Sequence, residues 1–243
     1  MRVLRLRSDQ ITAASVSGRV LTHDIGHGLR KGTVLGPGHL EALRAVPEIH
    51  LVELDEADVH EDQAARRLGA AVAGPGMHVE DPVQSQVRVV ADQRGLLRVD
   101  RVAVDRLNHL PAVGVFTLFD GQAVDAGEEV AGAKVTPVAV HGFLLREAEL
   151  VAKAARPVLR VDAFRPLRTL IVVTERLKPR ARELFAAAVT RKLGWYGAEV
   201  LAVREVARDD QAVLAAYREA QEQDAELVLF AGASSIDPMD AAY

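Results

Sequence analysis

Residues 168–174, RTLIVVT, decide how this chain is read, because Leu170, Ile171, Val172 and Val173 form an apolar run without polar alternation. A strand covered on both faces reads that way. The rhythm continues downstream. PRARELFAAAVTRKLGWYG (179–197) reads as a helix with Pro179 at its first position and Gly194 or Gly197 at its end. EVLAVREV (199–206) is a second strand, and DDQAVLAAYREAQEQ (209–223) a second helix with Asp209 as its N-cap. ELVLFAG (226–232) is a third strand. Strand, helix, strand, helix, strand with apolar strands predicts a parallel sheet joined by right-handed crossovers. Ligands in such sheets sit beyond the carboxyl ends of the strands. Thr174 and Gly232 fall at two of those ends.

The turn that follows, GASSIDPMD (232–240), is the most informative polar stretch. Small residues let backbone N–H groups approach an anion, and Ser234 and Ser235 add hydroxyl donors. Asp237 and Asp240 are suited to accept hydrogen bonds from a heterocycle or to hold a divalent cation. The same residues also suit a turn that caps a following helix. At the mouth of the first strand, RLKPRARE (176–183) carries Lys178, Arg180 and Arg182, which either face a phosphate or form a solvated first turn.

The segment from Arg168 to Asp240 resembles the molybdopterin-binding domain shared by molybdopterin molybdotransferases and molybdopterin adenylyltransferases. That family's loop runs Gly-Gly-x-Ser-x-Gly-x-x-Asp, and Gly232, Ser235 and Asp240 fall on its first Gly, its Ser and its final Asp. Ala225-Glu226-Leu227-Val228 matches the Ala-Asp-Leu-Val that opens the family's preceding strand, and Asp209-Asp210 matches the start of its second helix. Ala233 and Asp237 stand where the family has glycine. Val173-Thr174-Glu175-Arg176-Leu177 stands where it has Thr-Gly-Asp-Glu-Leu, and only the leucine matches in place. The resemblance implies a molybdopterin-binding protein of molybdenum cofactor biosynthesis, molybdotransferase-like. The ligand implied is molybdopterin or its adenylate, with Mg as an accompanying ion. The implied cofactor-binding set is Thr174, Glu175, Gly232, Ala233, Ser234, Ser235, Asp237 and Asp240. Residues 232–235 would hold the phosphate side, and Asp240 would read the pterin or bind the Mg, with Asp237 the second candidate. Lys178 and Arg180 would face the phosphate. The family's later Pro-Gly-x-Pro loop falls beyond Tyr243, so this domain is expected to be incomplete, and no catalytic residue is assigned. The alternative is a non-catalytic cofactor carrier, regulatory module or assembly scaffold of the same fold.

Ahead of this domain the reading is α+β, with a β-rich middle. GRVLTHDI (18–25), LRKGTVLG (29–36) and IHLVEL (49–54) read as strands, and HLEALRAV (39–46) as a helix. Residues 55–74 read as a helix with Val59, Ala64, Leu68 and Ala71 on one face. Val87, Val89, Leu97, Val99, Val102 and Val104 sit in short strand-like runs, and residues 112–142 suggest consecutive strands with turns at Gly121, Gly127 and Gly132. LREAELVAKAAR (145–156) is a further helix, and AFRPLR (163–168) a linker. The expected divisions are 1–76, 77–163 and 164–243. GRVLTHDI followed by LRKGTVL is similar to the opening of molybdotransferase-like proteins, and the layout including DEADVHEDQAARRL, AVDRLN, VTPVAVHG and FRPLR resembles bacterial molybdopterin-binding proteins in which such a region can precede a nucleotidyltransferase domain. DGQAVDAGEEVAGAKVTP (120–137) also resembles the hairpin of biotinyl and lipoyl carriers, with Lys134 read as an ordinary strand residue.

Hydrophobic residues make up 49% of the 243 positions and charged residues 26%, which excludes intrinsic disorder. A net charge of -4 gives no general attraction to nucleic acid or anionic lipid. With no cysteine, thiolate metal sites and cysteine nucleophiles are excluded, and a reducing cytoplasm is the expected compartment. No apolar run reaches the roughly 18 residues of a membrane span. All eight histidines precede residue 150; His23 and His27 are four apart, but Gly26 and Gly28 argue against a helix that would aim both at one ion, and His60, Glu61 and Asp62 point to different sides of a helix, so no zinc site is expected. A pterin small molecule and a second copy of the chain are the expected partners.

Overall fold

The computed structural model describes residues 1–26, 28–83, 85–155 and 157–232. It is a mixed α/β chain that divides into two compact units, Met1–Ala163 and Phe164–Tyr243. Among the described residues, four sheets are antiparallel and the fifth is parallel. No helix there is long and apolar enough to cross a membrane.

In the first unit, strand Glu48–Glu53 lies between Arg2–Arg7 and Val20–Leu21. Its alternation puts Ile49 opposite Leu6 and Leu51 opposite Leu4, a cross-strand apolar face that closes over Ile11, Val16, Leu35 and Leu43. LRKGTVLG is not a strand: only an isolated bridge joins Val34 to Val20. The positive φ of Gly32 turns the backbone there.

The larger core lies under the four-stranded sheet Met77–Val79, Gln86–Ala91, Glu129–Val135 and Val113–Thr117. Helices Glu61–Val72, Arg101–Asn108 and Gly142–Ala155 share this core with the sheet. Leu68 and Val72 pack with Val87 and Val89, so residue 76 does not separate two cores. Gly69 lets this helix sit close: a Cβ there would meet Val87 Cγ2 at 2.6 Å.

Three further sequence expectations give way in this unit. The helix predicted from residue 55 starts at Glu61, because Asp58–His60 pairs with Ala139–His141 and takes Val59 into a strand. Val102 and Val104 belong to a helix, since Asp100 caps it by accepting from Ala103 N at 3.0 Å. Gly132 is a mid-strand residue rather than a turn. It lies opposite Phe116, whose ring occupies the space a Cβ would need.

The second unit is a parallel sheet ordered Glu199–Glu205, Arg168–Val173, Leu227–Ala231, with the first strand in sequence at its centre. Thr169 to Val173 are all buried, as a central parallel strand requires. Leu170 and Val172 pack on Ala216 and Ala220 of helix Asp210–Glu222, which Asp209 caps through Ala212 N at 2.9 Å. Helix Pro179–Trp195 ends before Gly197, at φ +81°. Phe164, Trp195 and Tyr196 form an aromatic cluster at that end, with centroids 4.8–5.7 Å apart.

Candidate functional site

The strand order fixes where a ligand can enter the second unit. From the central strand the chain crosses to one side for Glu199–Glu205, then to the opposite side for Leu227–Ala231. Connections that leave in opposite directions open a crevice between the carboxyl ends of the first and third strands, the switch point at which open α/β sheets bind ligands.

Thr174 and Gly232 are the first residues beyond those two strands. Val173 is paired with Ala231 in the sheet register. One step further, Thr174 N donates to Ala231 O at 2.9 Å, and its hydroxyl reaches the same carbonyl at 3.5 Å. Thr174 is 7% exposed, and its Oγ1 lies where a Cβ on Gly232 would stand. Only glycine fits at 232 with Thr174 in place. The structure therefore brings together two of the residues the sequence singles out, and gives the glycine a packing reason.

Glu175 follows, half-buried and without an ion pair among the described residues. Lys178 and Arg180 are exposed and likewise meet no carboxylate there. Arg182 differs: its Nε lies 2.6 Å from Glu205 Oε2, joining the first turn of helix Pro179–Trp195 to the end of the neighbouring strand. Glu205 neutralises one of the three cations available to a phosphate. Sequence inspection did not single it out, although its place at the carboxyl end of EVLAVRE puts it on the same rim as Arg182. Arg165 and Arg168 belong to the opposite end of the sheet, paired with Glu226 and Asp224.

Ala233, Ser234, Ser235, Asp237 and Asp240 lie outside the described residues. The described residues of the expected set are thus Thr174, Glu175 and Gly232, with Lys178 and Arg180 at the start of helix Pro179–Trp195, which follows Glu175 in the chain. These residues supply one carboxylate without an ion pair among the described residues, Glu175, and two exposed cations, groups that complement N–H donors and a phosphate. Among the described residues no three histidine, aspartate or glutamate side chains gather as metal ligands, so these residues by themselves do not fit the Mg that the resemblance implies.

In the first unit His23 and His60 are tied into the fold, and His27 lies outside the described residues. His23 stacks edge to face on His50 at 5.1 Å. His60 donates from Nε2 to Gly32 O at 2.9 Å and accepts at Nδ1 from Asp62 N at 3.3 Å, so its tautomer is set by two backbone groups. Lys134 is exposed in mid-strand.

Comparison of the chain with protein-family models, with curated proteins and with solved structures finds no match.

Proposed function

We propose that the second unit binds molybdopterin or its adenylate at the switch point and that the chain acts in molybdenum cofactor biosynthesis as a cytoplasmic, molybdotransferase-like protein. The observation that carries this reading is the contact of Thr174 with Gly232 between the carboxyl ends of the first and third parallel strands. The sequence likeness over Arg168 to Asp240 supplies the ligand class, and the local chemistry is consistent with it. Molybdopterin is a phosphorylated anionic dithiolene with a hydrogen-bonding heterocycle. Lys178 and Arg180 complement its phosphate, and Glu175 accepts from its ring N–H groups. Asp240 is the second such carboxylate, on the sequence match alone.

Two sequence departures favour a carrier over a transferase within the same reading. Ala233 and Asp237 replace glycines that would let the loop backbone approach the ligand most closely. A carrier would hold the pterin for a nucleotidyltransferase domain or for a second copy of this chain. Anaerobic titration with molybdopterin and with its adenylate, beside an Asp240→Asn variant, tests the site. The wild type binds, and the variant binds more weakly at an unchanged melting temperature. Equal affinity for the two chains removes Asp240 from the site, and absence of binding by the wild type removes the ligand class. Molybdate-dependent hydrolysis of the bound adenylate selects the transferase, and binding without hydrolysis selects the carrier.

A further inference from the structure

Among the described residues, strand Val113–Thr117 is an edge of the four-stranded sheet and pairs with Glu129–Val135 alone. The bonds that flank this pairing run from Leu118 N to Val130 O at 2.9 Å and from Thr136 N to Ala112 O at 3.0 Å. Antiparallel alternation therefore turns the N–H and C=O of Val113, Val115 and Thr117 away from the sheet. Val113 N donates to Leu110 O at 3.3 Å, and Asn108 satisfies both groups of Val115. Thr117 is the next rung. Its outward N–H and C=O have no hydrogen-bond partner among the described residues.

That rung opens on a groove of about 670 Å3 lined by the strand and by helix Arg101–Asn108. Val99, Val102 and Val104 make its apolar wall, and Val102 is 62% exposed. Val99 N donates to Asp120 Oδ1 at 2.9 Å, which sets this wall beside the turn that follows Thr117. Arg101 begins the helix two residues later, exposed and without an ion pair among the described residues. Asp105, the other charged residue of the lining, faces His109 at 3.7 Å.

We propose that the groove takes an extended peptide of a partner protein, added as one antiparallel rung at Thr117, with an acidic residue two positions before an aliphatic one. A residue opposite Thr117 exchanges both backbone hydrogen bonds with it, as in strand addition to a sheet edge. Thr117 shares a face with Val113 and Val115, so the side chain opposite it falls on that face, over the valine wall. An antiparallel partner enters from the Val99 side. The side chain two positions earlier therefore lies toward Arg101, and a carboxylate there complements the guanidinium. Asn108 already fills the Val115 rung, so a second copy of this strand cannot pair along its length, and a short segment fits better. This surface is independent of the pterin reading and belongs to the other unit.

The test is fluorescence polarisation of the full chain with the labelled peptide Gly-Glu-Thr-Val-Thr-Gly. Saturable binding is expected, and methylation of the valine amide nitrogen weakens it about tenfold by removing one bond to Thr117. Exchange of the glutamate for lysine weakens it about two- to fivefold, and Arg101→Glu reverses that preference. Arg101 and Val102 are exposed, so substitutions there leave the fold intact. Absence of binding overturns the proposal, as does equal binding of the methylated peptide or a preference that Arg101→Glu leaves unchanged. A dimer in sedimentation velocity that Val102→Arg dissolves assigns the groove to a second copy and overturns it as well.

Discussion

Thr174 Oγ1 occupies the space that any side chain at Gly232 would need, and the backbone N–H of Thr174 donates to Ala231 O at 2.9 Å. Two residues 58 positions apart are thereby locked at the opening between the first and third strands of the parallel sheet. Gly232→Ala forces its Cβ against a buried side chain and is expected to cost about 1–3 kcal/mol. Thr174→Ala in the same chain removes the obstructing oxygen, so the double variant is more stable than the sum of the single effects predicts. Thermal or urea unfolding of the four chains measures the coupling, and strict additivity would show that the contact is not made.

Asn108 guards the outer edge of the four-stranded sheet. Its Nδ2 donates to Val115 O at 2.9 Å and its Oδ1 accepts from Val115 N at 2.7 Å, as a neighbouring strand would. Exposed strand edges invite pairing with other chains, and this side chain covers one. Asn108→Leu is expected to cost about 1 kcal/mol and to speed amide exchange at Val115. Hydrogen exchange read residue by residue checks it, and an unchanged rate at Val115 would count against the bracket.

Stability is expected to fall on the acid side. The hydrogen bond from Arg5 holds the Glu48 carboxyl below its ordinary range, and the hydrogen bond from Arg204 does the same for Glu219. Each folded carboxyl therefore titrates below its unfolded value, and the folded chain binds fewer protons in that window. Their contribution is present above the unfolded carboxylate value, about 4.3, and is lost as pH falls through the lowered folded value. The pairs are at the surface, so the effect is small and weakens with salt. Melting temperature against pH is expected to drop less steeply in acid for Arg5→Gln and Arg204→Gln than for the wild type. Parallel curves would contradict the assignment.

The parts of the fold visible in the sequence are those where one local signal is strong. The unbroken run Leu170 to Val173, Pro179 at a helix start and Asp209 at an N-cap all stand where the residues alone place them. Legibility fails where a long-range partner decides. Val59 reads as part of a helix until Ala139–His141 pairs with its segment. Gly132 reads as a turn until the Phe116 ring is laid over it. Val102 and Val104 alternate like a strand, and only the Asp100 cap makes them helical. Glu61 has the composition of a solvated helix start, and its burial depends on Gly32, 29 positions earlier. At the candidate site, Thr174 and Gly232 follow from strand ends, whereas the pairing of Arg182 with Glu205 needed the sheet order.

In the proposed reading a pterin ligand sits at the switch point and the carboxylate beside Thr174 accepts from its ring. Anaerobic calorimetric titration of molybdopterin into the wild type and into Glu175→Gln tests it most directly. Glu175 is half-buried and has no ion pair among the described residues, so the substitution leaves the melting temperature unchanged. The wild type is expected to bind saturably and Glu175→Gln about ten- to a hundredfold more weakly. Absence of binding by the wild type, or equal affinity for the two chains, would contradict that reading.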